Sequence, residues 1–283
     1  MRSHVLACGP YRLALDRPLV MGVLNVTPDS FSDGGRYFDR GRALARAREM
    51  LAHGADLIDI GGESTRPGAA PTDEGDEIER VIPLLEQLRP ECDEMSVPLS
   101  VDTRKTVVMA AAIDAGASMI NDVGALRAPG AIEAVARSAV AVCLMHMRGE
   151  PTTMQHDVVY TDVVGEVKNF LNERVEACEA AGIASERIVI DPGFGFGKSV
   201  DHNLVLLNRL PEIVELGFPV AVGLSRKSTI GVLTGRDVEE RVAGSIAAAL
   251  AAVARGAAIV RAHDVLETVD ALKVWRAASI GRR

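Results

Sequence analysis

Eight times along this chain a short run of Val, Ile, Leu and Ala gives way at its end to a polar residue or a glycine, and a helical stretch follows. The runs are Leu19 to Leu24 before Asn25, Ala55 to Ile60 before Gly61-Gly62, Val97 to Val101 before Asp102, and Ser118 to Ile120 before Asn121-Asp122. They continue with Ala139 to Met145 before His146, Arg187 to Ile190 before Asp191, Val220 to Val222 before Gly223-Leu224-Ser225-Arg226-Lys227, and Ala257 to Val260 before Arg261-Ala262-His263. Runs this short and this continuous read as strands buried on both faces, which parallel sheets require. Alternated with helices and without an intervening linker, they predict an α/β fold, a single-domain (β/α)8 TIM barrel spanning 1–283. Residues 1–18 read as an N-terminal strand or hairpin extension turned at Gly9-Pro10, and long polar loops follow strands one and two. A doubly wound open sheet is the structural alternative. Its dinucleotide fingerprint needs Gly-x-Gly-x-x-Gly after the first strand, and that pattern is absent.

The helical stretches carry their own punctuation. Gly41 to His53 places Leu44, Ala47 and Leu51 on one face and Arg42, Arg46 and Arg48 on the other, with Gly54 as a C-cap. Glu74 to Leu88 has an Ile78, Val81, Ile82, Leu85, Leu88 stripe. Pro83 lies inside it, where it predicts a kink or a break. Pro129 suits the first turn of a helix, Pro211 interrupts the helix before strand seven, Glu239 to Arg255 precedes strand eight, and Asp264 caps a last helix reaching Ala278.

Composition narrows the function. A hydrophobic fraction of 48% supplies a sizeable core, and the formal net charge of -8 speaks against a nucleic-acid surface or a membrane patch. No run approaches the ~20 apolar residues of a membrane span. Residues Met1 to Pro10 lack both the basic start and the apolar core of a signal peptide. Cys8, Cys92, Cys143 and Cys178 show no paired spacing, so the expected setting is a reducing cytoplasm.

In a parallel barrel all strands point their C-terminal ends at one face, so the polar residues that end them ring one mouth. Any one of them could be a helix cap. Capping does not explain why nearly every strand ends this way with both charge signs present. Asp102, Asn121 and Asp191 offer carboxylates and a carboxamide suited to a flat, nitrogen-rich heterocycle. Lys227, Arg261 and His263 form a basic arc suited to phosphate, although a structural salt bridge is open to Arg261. The segment Gly193-Phe194-Gly195-Phe196-Gly197-Lys198 lacks the first glycine of a nucleotide P-loop. It reads as a tight loop bringing Asp191 and Phe196 to a ligand. Histidines 4, 53, 146, 156, 202 and 263 lack zinc-ligand spacing. A hard Mg2+ on the Asn25 oxygen and substrate phosphates fits better.

Two loops are specific enough to name a family. NVTPDSFSDGG (Asn25 to Gly35) and DIGGESTRPGA (Asp59 to Ala69) resemble the signature loops of the dihydropteroate synthases, a pterin-binding barrel family. The resemblance continues in order through SVDTRK (Ser100 to Lys105), NDV (Asn121 to Val123), MHM (Met145 to Met147), DPGFGFGK (Asp191 to Lys198), GLSRKS (Gly223 to Ser228) and RAHDV (Arg261 to Val265). It implies a transferase of folate biosynthesis, joining 6-hydroxymethyl-7,8-dihydropterin diphosphate to 4-aminobenzoate with Mg2+, inhibited by sulfonamides and assembled as a homodimer. It also implies roles. Asp102, Asn121, Asp191 and Lys227 would hold the pterin. Asn25, Arg261 and His263 would bind the diphosphate, with Asn25 on the metal and Thr65 alongside. Phe31, Arg66, Pro67 and Ser228 would build the aminobenzoate pocket, and Phe196 would lie against both ligands. The competing functions are a pterin-dependent methyltransferase serving a corrinoid partner, which needs neither the diphosphate arc nor both long loops, and a non-catalytic pterin-binding paralogue. The latter is expected to lack one of Asn25, Lys227, Arg261 or His263, and all four are present.

Overall fold

The computed structural model describes residues 5–27, 36–64, 71–149, 154 and 158–280. Strands β1 (Val5–Cys8) and β2 (Tyr11–Ala14) form an antiparallel hairpin. Eight parallel strands follow: β3 (Leu19–Asn25), β4 (Leu57–Gly61), β5 (Leu99–Asp102), β6 (Met119–Asp122), β7 (Ala141–Met145), β8 (Ile188–Asp191), β9 (Ala221–Val222) and β10 (Ile259–Ala262). Their order in the sheet is β8-β7-β6-β5-β4-β3-β10-β9. A parallel bridge from Ile190 to Val220 joins the two ends and closes the barrel.

The strands are buried on both faces for different reasons. On β4, Ile58 and Ile60 point outward into the large cluster shared with the helices, while Leu57 points inward. The same alternation separates Val20 and Leu24 from Leu19 and Met21 on β3, and Val142 and Leu144 from Ala141 and Cys143 on β7. This is the two-residue period of a pleated strand. The inward set, with Met119, Val189, Ala221 and Ile259, fills the lower barrel. Leu6 and Cys8 of the hairpin belong to that cluster and are fully buried. Gly9 N–H donates to Ala139 O at 3.2 Å, and Cys8 Sγ lies 3.3 Å from Ser118 O. The hairpin therefore floors the barrel.

Helix α1 (Arg36–Ala52) begins before the expected Gly41, and its buried face is Ala43, Ala47, Met50 and Leu51, with Leu44 only half-buried. Helix α2 (Glu74–Met95) corrects the expected break: it runs through Pro83 and Pro90. Proline removes a hydrogen bond at about 3 kcal/mol, but Val81, Leu84, Leu85, Leu88 and Cys92 are all at most 1% exposed. Each such side chain contributes roughly 1.5–3 kcal/mol on burial, so packing outweighs local propensity. The Asp73 carboxylate caps the start by accepting Gly75 N–H at 2.8 Å, and Ser96 at φ 58° closes the end.

The remaining helices are α3 (Thr106–Asp114), α4 (Ala131–Ala136), α5 (Val163–Ala180), α6 (Val200–Asn208), α7 (Leu210–Val214), α8 (Ser228–Thr234), α9 (Val242–Val253) and α10 (Val265–Ile280). The interruption near Pro211 occurs at Arg209, between α6 and α7. Pro129 lies just ahead of α4, whose N-cap is Gly130 at φ 78°, and α9 starts at Val242 rather than Glu239. The short α8 lies between the end of β9 and the expected helix before β10, in a stretch to which the sequence assigned no element.

Candidate active site

Strand register sets the first row of the mouth. Asn25 pairs with Gly61, Gly61 with Asp102, and Asp102 with Asn121, across four neighbouring strands. Gly61 leaves the space that the row needs: a Cβ there would lie 3.4 Å from Asn25 Oδ1 and 3.7 Å from Asp102 Cβ. Asn25 and Asp102 therefore flank one gap.

Directly below, a residue the sequence reading passed over organises the centre. Asp59 is fully buried, and its Oδ2 accepts Asn121 Nδ2 at 2.9 Å and Arg261 Nε at 2.6 Å. Its Oδ1 finds no partner among the described residues. Arg261 reaches on to Asp102 Oδ2 with Nη2 at 2.8 Å. The signal was present: an acid between Ile58 and Ile60 shares the face of Leu57 and Gly61, and that face is the barrel interior.

Electrostatics follow from burial. Burial pushes Asp102 up to about 7, opposed by the Arg261 charge. It pushes Asp191 up to about 6, against the Gly193 N–H that Asp191 Oδ1 accepts at 2.7 Å. Burial and the nearby Arg261 bring Lys227 down to about 8. For Arg261 burial works against the charge, but Asp59 and Asp102 outweigh it and hold the guanidinium ionised.

Lys227 Nζ sits 4.0 Å from the centre of the Phe196 ring, a cation–π contact. Phe196 in turn packs on an apolar wall of Val123, Met145, Met147 and Met154. At the far side His263 shares Ser225 Oγ, through its N–H at 3.2 Å and Nδ1 at 3.0 Å. Asp264 next to it grips Arg226 with two bonds of 3.1 and 2.6 Å, tying the end of β10 to the segment carrying Ser225 and Lys227. Ser228 opens α8, exposed.

Two expectations need correction. The basic arc is not three cations facing one way. Arg261 turns onto Asp59 and Asp102, and burial with the Arg261 charge brings His263 down to about 3, leaving it neutral. His146, grouped with the mouth by its place after β7, instead lies beneath the glycine loop, 6% exposed, edge-on to Phe170 and 2.9 Å from Lys198 Nζ. Phe31, Thr65, Arg66 and Pro67 lie outside the described residues, with the central parts of both long loops. The base of the second loop is anchored: Glu63 Oε1 accepts Thr72 N–H at 2.9 Å and pairs with Lys105 at 3.1 Å, and Lys105 also holds the fully buried Glu77.

A closed parallel barrel whose strand ends collect carboxylates, a carboxamide and half-buried cations defines an enzyme of the (β/α)8 class, with its site at the C-terminal face. The pterin binding enzyme family matches residues 21–263. A dihydropteroate synthase from Neisseria meningitidis serogroup B is 53% identical over 287 residues, covering 99% of this chain and 99% of the relative. The structure of Xanthomonas albilineans dihydropteroate synthase with 4-aminobenzoic acid matches with a TM-score of 0.92 at 55% identity, covering 99% of this chain and 100% of the other. That of the Burkholderia cenocepacia enzyme complexed with 7,8-dihydropteroate matches with a TM-score of 0.89 at 52% identity, covering 100% of both. The chain belongs to the pterin-binding enzymes, and within them to the dihydropteroate synthase family of transferases.

Proposed function

We propose that the chain, acting as one barrel domain over 1–283, condenses 6-hydroxymethyl-7,8-dihydropterin diphosphate with 4-aminobenzoate to give 7,8-dihydropteroate and diphosphate. The observation that carries this reading is the buried Asn121–Asp59–Arg261–Asp102 layer, set beside Asp191 and a Lys227–Phe196 stack. Flat rings with alternating donors and acceptors need such fixed partners on their edge and an aromatic on their face.

In the reaction the C–O bond to diphosphate breaks, the arylamine nitrogen forms the new C–N bond, and that nitrogen sheds a proton. As the C–O bond lengthens, positive charge spreads over the pterin nitrogens, so a dissociative path suits a site rich in buried carboxylates. Asp102 and Asp191 stabilise the cationic ring. Asn121 and Lys227 fix its orientation. Arg261, ionised on Asp59 and Asp102, and the neutral His263, which can offer only a hydrogen bond, are assigned to the departing anion, with Asn25 at the same edge. Thr65 is assigned to the diphosphate side, and Phe31, Arg66, Pro67 and Ser228 to the aminobenzoate. No activated serine or cysteine is needed, because an arylamine is already a nucleophile.

Mg2+ fits the donor set in one way only. Among the described residues no three His, Cys, Asp or Glu side chains converge as a cage. A single carboxamide oxygen, Asn25 Oδ1, opens onto the Gly61 gap. That suits an ion held mainly by phosphate oxygens and water. Bound there, Mg2+ supplies charge neutralisation to the diphosphate.

We assign the protein to the cytoplasm and to a homodimer. The four cysteines are free and buried, and among the described residues no helix is long and apolar enough to cross a membrane. Leu204 and Val205 of α6, Val232 and Leu233 of α8, and Val238 are exposed, and α6 packs against α8. Sedimentation of the purified chain tests the dimer. Mixing it with the pterin diphosphate, 4-aminobenzoate and Mg2+ while following diphosphate release tests the reaction. Release that does not depend on 4-aminobenzoate overturns the assignment.

A further inference from the structure

Lys198 is 2% exposed, and among the described residues no carboxylate pairs with it. Its Nζ lies 2.9 Å from Gly193 O, 3.1 Å from Phe196 O and 2.9 Å from His146 Nδ1. Burying an amino group among carbonyls is expensive unless each hydrogen is used, and here two of the contacts are to the loop Gly193 to Gly197 and the third is to His146, at the end of the neighbouring strand β7. That loop is fastened from other sides as well. Asn203 Oδ1 accepts Gly195 N–H at 2.8 Å, Asn203 Nδ2 donates to Thr229 Oγ1 at 3.2 Å, and Tyr160 O–H donates to Gly197 O at 2.9 Å.

The loop leaves no slack. Gly193 and Gly197 have φ of 68° and 63°, and a Cβ on either would collide with His146 O at 1.9 Å or Arg148 O at 2.4 Å. A Cβ on Gly195 would meet Lys227 Cδ at 3.3 Å, so the loop lies directly against the lysine of the site. What it carries is functional in the reading above: Asp191 precedes it, and Phe196 stacks under Lys227.

We infer that Lys198 is a positioning residue for the pterin half of the site: its buried amino group holds the Gly193–Gly197 loop so that Phe196 and Asp191 keep their places against Lys227. This rests on the pterin reading and adds a residue to it that makes no ligand contact. A lysine that merely stabilises the core would act on melting temperature alone. One that acts through Phe196 must couple to it.

The test is a double-mutant cycle on Lys198→Met and Phe196→Leu, assayed for kcat and for KM of the pterin diphosphate, with thermal melts alongside. Each single variant is expected to lose about tenfold or more in kcat/KM for the pterin diphosphate, and the double variant to lose no more than about threefold beyond the worse single one, because both remove one interaction unit. Losses that multiply, or a Lys198→Met enzyme with a lowered melting temperature and intact kcat/KM, overturn the inference. Lys198→Gln, which keeps donors in place, carries the same cycle if Lys198→Met does not fold. A wild-type enzyme that binds no pterin diphosphate overturns the pterin reading itself, and this inference with it.

Discussion

Removing Arg261 is expected to damage the protein in two separable ways, and the second can be repaired. Arg261 Nε lies 2.6 Å from Asp59 and Nη2 2.8 Å from Asp102, and Asp59 is fully buried. At an effective dielectric of about 20, a contact of that length is worth on the order of 6 kcal/mol before desolvation. Deleting one partner of such a pair costs about 3–5 kcal/mol, because the other charge is left uncompensated. In Arg261→Ala, Asp59 would keep, among the described residues, only the Asn121 amide as a donor. At about 2.1 cal/mol/K of unfolding entropy per residue, that lowers Tm by roughly 5–8 °C. Adding Asp59→Asn neutralises the stranded carboxylate, so the double variant is expected to recover at least half of the loss. Turnover is expected to fall at least ~100-fold in both variants, since neither has the guanidinium. Circular-dichroism melts on the two variants and the wild type, with diphosphate release in parallel, make the comparison. A double variant that melts below Arg261→Ala would show that Asp59 is not the stranded partner, and the argument for this layer would fail.

Other consequences of the same layer are quicker to check. Asp102→Asn is expected to lower turnover at least ~100-fold, measured at saturating substrates, by removing one preorganised charge beside the ring. The pH profile of kcat/KM for the pterin diphosphate should rise as Asp191 and Asp102 ionise, near 6 and 7, and fall as Lys227 loses its proton near 8. Lys227→Arg should carry the alkaline limb upward, because a guanidinium keeps its proton throughout that range. Chelation should abolish turnover until Mg2+ is restored, and Asn25→Ala should raise the Mg2+ concentration giving half-maximal rate; a rate untouched by chelator would remove the metal from the scheme.

Much of this architecture was legible because the strand ends are sharp. Leu19 to Leu24 can only be buried, Asn25 follows at once, and register then brings Asn25, Gly61, Asp102 and Asn121 into line. What the sequence concealed has physical causes. Pro83 advertises a break, but the five buried side chains of α2 are a tertiary effect that no local signal contains. Asp191 is the last residue of β8 and pairs in register with Met145, so His146 lies one residue further on and on the other face of the pleat, where Lys198, 52 residues away, meets it under the loop. Lys198 itself ended a motif that failed as a P-loop, and only the folded loop shows which carbonyls it holds. Asp59 was concealed by its apolar neighbours, although the alternation that buries Ile58 and Ile60 outward is what aims it inward.

The charge balance of the mouth points to how the site discriminates between ground and transition states. Asp59, Asp102 and Asp191 face the cations of Arg261 and Lys227, so the acids outnumber the bases in the layer to which the proposed function assigns the pterin ring. Below them the hairpin floor and the Met21, Met119 and Val189 layer exclude water, so the excess negative charge is poorly solvated. Burial raises Asp191 from 3.8 to about 6 even though the Gly193 N–H and Lys227 pull the other way, and at about 1.4 kcal/mol per unit that net desolvation is on the order of 3 kcal/mol. A neutral dihydropterin relieves little of it. A ring turning positive as diphosphate departs relieves it most at the moment of bond cleavage, which is the differential binding that lowers a barrier. A pterin analogue with a fixed positive charge is therefore expected to bind about tenfold or more tightly than its neutral isostere in calorimetric titration at pH 8, and Asp191→Asn should erase the preference. Equal affinities for the charged and neutral analogues would mean that these acids orient the ring without stabilising its charge.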